Sequence, residues 1–131
     1  MSERPNLELV AAALRADAGD LRVFFQALAS KLDQAFPGRC RVRRAGLLGK
    51  GPVREIAVEV GDARYQAESR NGSVTARRSS IVRGITLKND ELGLDEWIDA
   101  LARDVLAESE RSERGRLALE NLLIGTHEEA T

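Results

Sequence analysis

Arginine is the residue type in this sequence with the most chemistry to offer, because it is concentrated in one stretch. Residues 39–88 hold 12 Lys and Arg against four acids, a net charge of +8, whereas residues 89–131 sum to −8. Alternate residues of a β-strand share a face, so we expect several of these arginines to lie on one surface. The candidate set is Arg41, Arg43, Arg64, Arg70 and Arg77. Such a surface could bind anions such as the phosphates of nucleic acids.

The same surface is expected to carry acids, which gives the arginines a second use. Glu55, Glu59 and Glu68 follow the same alternation and could form cross-strand ion pairs. Aromatic side chains that stack on single-stranded bases are nearly absent, with Tyr65 alone in this stretch. Two uses therefore stay open for the arginines. They bind nucleic acid, or they pair with acids of the same or a second chain.

Nucleophilic and phosphate-loop chemistry each lack a required residue. Cys40 lies between two arginines, which favours the thiolate, but strand alternation places it on the core side. The only histidine, His127, lies in a polar C-terminal stretch and is not placed to act as its base. Residues 46–52 resemble a phosphate-binding loop only in part, since two residues rather than four separate the first glycines. We interpret this segment as a flexible hairpin connection.

Metal chemistry also lacks support in the sequence. Glu91, Asp95 and Asp99 are spaced to share a helical face, but no histidine and no second set of ligands accompanies them. We interpret these acids as solvated helix surface. We therefore expect no enzymatic activity, no metal site and no organic cofactor.

The N-terminal segment has the apolar spacing of a helix. Residues 6–36 carry large apolar side chains at three- and four-residue steps, with Asn6 as a plausible N-cap. Gly19 interrupts this segment, because glycine costs about 1 kcal/mol relative to alanine inside a helix. Either one kinked helix or two shorter helices, the second capped by Asp20, fits the pattern.

Residues 39–88 show the period of two that is typical of β-strands. The clearest strands are Val53–Val60 and Ala63–Arg70. Asn71-Gly72 predicts a tight type I′ hairpin, since both residues tolerate positive φ. Further strands are predicted over residues 39–48, 73–78 and 81–87, the last continuing the strand before it after a break at Ser79-Ser80. This pattern predicts an antiparallel meander of four or five strands with one apolar and one polar face.

The C-terminal segment predicts a second long helix that starts near Leu94 or Asp95, with Trp97 in the core. Residues 108–116 contain no apolar side chain, so we expect the helix to leave its own sheet there. The apolar residues beyond them would form an exposed patch, which we predict to be an oligomer interface: Leu117, Leu119, Leu122, Leu123 and Ile124. The alternative is that the chain turns back at Gly115 and packs this segment on the first helix.

Together these elements predict one α+β domain over residues 1–125, with a long N-terminal and a long C-terminal helix packed on an antiparallel sheet. Residues 126–131 are expected to form a disordered polar tail. No apolar run is long enough for a transmembrane helix and no export signal is visible, so we expect a cytoplasmic protein without membrane insertion. The excess of Arg over Lys, 17 to 3, is typical of a bacterial protein from a high-GC genome.

The order of elements resembles the YbaB/EbfC-type nucleoid-associated proteins. The similar part is residues 81–87 leading into a helix over residues 94–116, about a third of the chain. The predicted sheet has more strands, and the first helix is longer and more apolar. This resemblance implies a DNA-binding dimer, but no functional residue carries over.

Two functions fit these observations. The first is a non-enzymatic, self-associating adaptor or scaffold that binds a protein partner through the sheet or the C-terminal helix. The alternative is a nucleoid-associated, DNA-binding dimer that uses the arginine-rich face. We expect a homo-oligomer, most simply a C2 dimer, in either case.

Overall fold

The computed structural model describes residues 6–15 and 19–129 of the 131-residue chain. Its centre is a five-stranded antiparallel sheet in which every strand pairs with its neighbours in sequence. The strands are β1 (Cys40–Arg44), β2 (Val53–Val60), β3 (Ala63–Arg70), β4 (Ser73–Val82) and β5 (Ile85–Leu92). The predicted α+β class and antiparallel meander are therefore confirmed.

The described residues also form four helices: α1 (Leu7–Arg15), α2 (Leu21–Ala35), α3 (Leu94–Arg111) and α4 (Glu113–Glu129). Helices α2 and α3 contact the strands, while α4 packs against α1, α2 and α3. Among the described residues, no helix is long and apolar enough to cross a bilayer. Helix α4 extends over residues 126–129, where we predicted a disordered tail, and residues 130–131 lie outside the described part of the chain.

The N-terminal helical segment forms two helices, each with a side-chain cap. The Asn6 side chain accepts a hydrogen bond from the Leu9 N–H at 2.8 Å. Asp20 accepts from the N–H groups of Arg22 and Val23 at 3.1 and 3.3 Å. Such caps satisfy backbone donors that the helix itself leaves unpaired. The two-helix alternative is therefore the right one, and residues 16–18 between the helices lie outside the described residues.

One hairpin turn of the sheet lies where the sequence predicted it, and the next one does not. Asn71 and Gly72 have φ of 53° and 80°, as the predicted type I′ turn requires. The predicted break at Ser79-Ser80 is wrong, because β4 runs through both residues with only a shift of register between Ser80 and Ile81. The chain turns instead at Arg83-Gly84, with φ of 52° and 80°. Residues 89–91 consequently belong to β5.

The C-terminal segment breaks at Ser112 and turns back on its own chain. Gly115 lies so close to α3 that an added Cβ would be 2.2 Å from the Glu108 backbone oxygen. Beyond it, Leu119 and Leu122 are buried in the core, and Leu123 is partly buried. The prediction that all five residues of this segment form an exposed patch is therefore wrong, and only Leu117 (48%) and Ile124 (54%) are largely exposed.

The core lies between the sheet and the helices. Trp97 of α3 is fully buried, meets Tyr65 of β3 edge-on at 5.7 Å between ring centroids, and donates its indole N–H to the Arg77 carbonyl oxygen at 3.0 Å. Helix α2 is joined to α1 by the Lys31 ammonium, which donates to the Ala13 carbonyl oxygen at 3.0 Å. The apolar alternation seen in the sequence thus points toward the helices, and the polar alternation points away from them.

Candidate functional site

The sheet face away from the helices, here called the open face, brings the predicted arginines together. Arg41 lies opposite Ala57, which continues across the sheet through Gln66 and Arg77 to Glu91. Directly paired residues of neighbouring strands project to the same side of a sheet. The strand alternation then adds Arg43, Arg64 and Arg70 to the same side. All five predicted residues therefore share one face.

Acids share the open face and form ion pairs with three of the five arginines. The distances between guanidinium nitrogen and carboxylate oxygen are 3.7 Å for Arg43–Glu55, 2.8 Å for Arg70–Glu68 and 3.6 Å for Arg77–Glu91. The pairs are largely exposed, and each contributes little to stability. Arg41 and Arg64 have no carboxylate of the described chain within the 4.0 Å of an ion pair. Three of the five arginines are thus paired with acids, and two have no such partner in the described chain.

A groove crosses the open face between β2 and β4. Its lining residues are Glu55, Gln66, Glu68, Arg70, Thr75 and Arg77. The cavity volume is about 390 Å³, and every lining side chain is polar or charged. Small-molecule sites are mostly apolar with a few polar groups, so this groove is better suited to charged side chains of another macromolecule.

The edge of the sheet at β5 is a second candidate surface, and the sequence analysis did not identify it. Strand β5 pairs only with β4 in the described chain. Its hairpin with β4 exposes Val82, Ile85 (63%) and Leu87 (66%). Exposed apolar residues at an unpaired strand edge are typical of sites where another strand adds.

A cluster behind the sheet joins the buried Tyr65 to two partly buried charged residues. The Tyr65 hydroxyl donates to Asp104, and Arg78 donates to both, at 2.9 Å to the hydroxyl and 3.0 Å to the carboxylate. Burial, and then the hydrogen bond to Asp104, raises the pKa of Tyr65 above its usual value. A phenol held in its protonated form is neither a base nor a nucleophile at neutral pH, so the cluster ties β3, β4 and α3 together.

Cys40 is half-buried at the start of β1. Burial, with a smaller contribution from the Asp33 carboxylate, raises the pKa of its thiol to about 11. The flanking arginines therefore do not produce the reactive thiolate that their positions in the sequence allow, and the geometry agrees with an inert thiol. The side chain of His127 lies outside the described residues.

The predicted acidic helix face does not exist as such, because Glu91 lies on β5 rather than on a helix. Asp95 and Asp99 both bind Arg15 of α1, at 3.3 and 3.0 Å. Within the described part of the chain, no three His, Cys, Asp or Glu side chains are grouped in a way that could hold a metal ion. These acids connect two helices.

Comparisons of the chain with known protein families, with curated proteins and with solved structures found no match. The resemblance to YbaB/EbfC-type proteins stays a prediction for that reason. The functional argument accordingly depends on the surfaces themselves.

Proposed function

We propose that the protein is a non-enzymatic, self-associating adaptor or scaffold that binds a partner protein on the open face of its sheet. One observation carries the proposal. The helices that contact the sheet, α2 and α3, bury one of its sides, so the other side and the β5 edge remain available to other molecules. The open face offers charged side chains, and the β5 edge offers backbone N–H and C=O groups together with exposed apolar side chains. Protein interfaces use the same kinds of groups.

Self-association is best supported at the β5 edge. Two copies of β5 can pair antiparallel about a two-fold axis, which extends the sheet from five strands to ten. Arg83, in the turn before β5, and Lys88 precede the acids Asp90 and Glu91 of the strand. An antiparallel pair places the basic half of one copy beside the acidic half of the other. This pairing would also cover the exposed apolar side chains of β5.

The partner of the open face is expected to be a protein with both charges. The face presents five arginines and four glutamates: Arg41, Arg43, Arg64, Arg70, Arg77, Glu55, Glu59, Glu68 and Glu91. Such a nearly balanced pattern selects a partner by the positions of its charges rather than by its net charge.

The oligomeric state and its interface test the self-association. Light scattering at micromolar concentration should give twice the chain mass of 14.3 kDa. The double substitution Ile85→Glu and Leu87→Glu should give a monomer, because the antiparallel pair places these acids beside Asp90 and Glu91 of the other copy. The matched control is Leu117→Glu with Ile124→Glu, which charges the exposed residues of α4 and should leave the dimer intact. A wild-type mass near 14.3 kDa would overturn the proposal.

DNA binding on the open face is the second candidate, favoured by Arg41 and Arg64. Neither has an ion-pair partner in the described chain, so both guanidinium groups can contact phosphates. Duplex DNA should then be retained at low salt and released steeply as salt rises. Replacing Arg41, Arg43, Arg64 and Arg70 with Ser should abolish retention. Absence of a wild-type shift at about 50 mM salt would exclude this function.

A further inference from the structure

The loop between β1 and β2, residues 45–52, holds a defined shape through its own backbone. The Ala45 N–H donates to the Pro52 oxygen and the Gly51 N–H to the Ala45 oxygen, both at 2.9 Å. The Arg44 guanidinium donates to the Gly51 oxygen at 3.4 Å and to the side chain of Gln26 on α2 at 3.1 Å. These bonds close the base of the loop and attach it to α2.

The tip of this loop exposes two adjacent leucines. Leu47 is fully exposed and Leu48 is 80% exposed, more than any other large apolar residue of the described chain. Gly46 and Gly49 flank them with φ of 92° and 64°, a conformation that glycine adopts without strain. The leucines form a convex apolar tip, and no residue in the described part of the chain covers it.

Cations lie beside the base of the tip. Arg44 ends β1 directly before the loop, and Lys50 lies within it. Beside the loop, a groove against α2 is lined by Arg22, Val23 and Ala27 and by Arg44, Lys50 and Pro52. No acidic residue of the described chain lines that groove. An apolar tip beside the basic residues Arg22, Arg44 and Lys50 fits an occupant that is apolar inside and anionic outside.

We propose that this loop docks the protein on an anionic lipid surface. The side chains of Leu47 and Leu48 enter the boundary between headgroups and acyl chains, and Arg22, Arg44 and Lys50 contact the headgroup phosphates. The convex shape favours lipid over an acidic protein, because a protein would need a matching cavity whereas fluid acyl chains close around any apolar tip. This contact is interfacial and involves no spanning segment.

Docking by this loop is compatible with self-association at β5. Strands β1 and β5 are the two opposite edges of the sheet, so the loop after β1 stays accessible when two β5 strands pair. A dimer would carry two loops, and simultaneous engagement of both would strengthen binding without any new contact.

The test is flotation of the full-length protein with vesicles of phosphatidylcholine, with and without phosphatidylglycerol. The protein should bind only the vesicles that contain phosphatidylglycerol, and added salt should weaken binding. Leu47→Ser with Leu48→Ser should weaken it by about tenfold for each leucine that is replaced. Lys50→Glu should weaken it as well.

The matched control is Leu117→Ser with Ile124→Ser, which removes two exposed apolar side chains from α4 and should leave flotation unchanged. All three variants change exposed residues, and thermal unfolding should show that each keeps its fold. No flotation with the anionic vesicles, equal flotation with both kinds, or unchanged flotation after loss of both leucines would each overturn the proposal. An equal loss in the α4 control would also overturn it, because that result indicates nonspecific apolar adsorption.

Discussion

The two sides of the sheet use neighbouring residues of the same strands for different purposes. In β4, Arg77 lies on the open face with an exposed partner, Glu91, whereas Arg78 lies on the covered face with Tyr65 and Asp104. The guanidinium of Arg78 is also 5.6 Å from the Tyr65 ring centroid. Adjacent arginines thus belong to the exposed ion pairs of the open face and to a structural cluster. The role of each arginine is decided by whether it lies on the side of the sheet that the helices cover, and not by its residue type.

This division makes the covered face responsible for stability and leaves the open face free for binding. On the covered face, Ile56, Val58 and Tyr65 have no exposed surface, and burial of such side chains supplies most of the folding free energy. On the open face, the ion pairs are exposed and screened by water. Substitutions on the covered face should therefore lower the free energy of unfolding much more than substitutions on the open face.

The largest effect is expected for Trp97→Ala, in the helix α3 that packs on the covered face. It removes a fully buried indole, its contact with Tyr65 and its hydrogen bond to the Arg77 oxygen. The free energy of unfolding should fall by about 3–5 kcal/mol, as measured by denaturant titration. Leu117→Ala, at an exposed position, is the control and should change little. A loss below about 1 kcal/mol for Trp97→Ala would contradict the covered face described here.

The second prediction concerns pH, and it uses the only tyrosine of the chain. Because the pKa of Tyr65 is raised in the folded state, the protein should gain full stability from this group below about pH 10, the usual tyrosine pKa. That contribution should decline as pH rises further, since the unfolded chain loses the proton first. Phenolate absorbance should show that Tyr65 of the folded protein ionises at a higher pH than free tyrosine.

The variant Asp104→Asn gives the matched comparison for this titration. It removes the carboxylate that, after burial, does most to raise the pKa of Tyr65, so the absorbance midpoint should move downward. A wild-type midpoint at the ordinary tyrosine value, measured while the protein is still folded, would show that the cluster does not form.

An intermediate effect is expected for Gly115→Ala at the start of α4. The new methyl group would lie 2.2 Å from the Glu108 oxygen, so α4 must shift away from α3 at a cost of about 1–3 kcal/mol. Gly19→Ala is the matched glycine control, because an added Cβ there meets nothing within 4 Å. Equal thermal stability of the two variants would be incompatible with the close approach of α3 and α4.

The smallest effect is expected on the open face. Arg43→Ala and Glu55→Ala should each change the free energy of unfolding by less than about 1 kcal/mol, and their double-mutant cycle should give a coupling of about 0.2–1 kcal/mol. Urea unfolding of the four proteins measures this coupling. A coupling several times larger would mean that the open face also contributes to stability, and the contrast between the faces would fail.

The sequence predicted the parts of the fold that depend on local chemistry. Periodicity located β2 and β3 at the bounds that the structure has, and Asn71-Gly72 marked a hairpin, because each signal lies within a few residues. The turn at Arg83-Gly84 escaped prediction since arginine rarely adopts positive φ, and the apolar residues around it looked like one strand. From the sequence, a reversal near Gly115 is only an alternative, because the choice depends on packing between distant segments, which periodicity does not contain.

The candidate surfaces also divide into a part that the sequence predicted and a part that it did not. Alternation placed Arg41, Arg43, Arg64, Arg70 and Arg77 on one face, and strand register then fixed their partners. The exposed Ile85 and Leu87 could not be found in advance, because an apolar residue in a strand is normally expected to face a core. Leu47 and Leu48 are adjacent in the sequence, but their exposure depends on the loop conformation that the hydrogen bond from Arg44 to the Gly51 oxygen helps to hold.

The meander has a consequence for the order in which the chain folds. Each strand pairs with its neighbour in sequence, so the sheet can form hairpin by hairpin with little loop-closure entropy, and such local topologies favour fast folding. Helix α1 behaves differently, since it reaches its contacts with α3 and α4 only after both of those helices have been made. During synthesis, the sheet would therefore exist before its apolar side is sealed, and emergence of the C-terminal helix completes the enclosure.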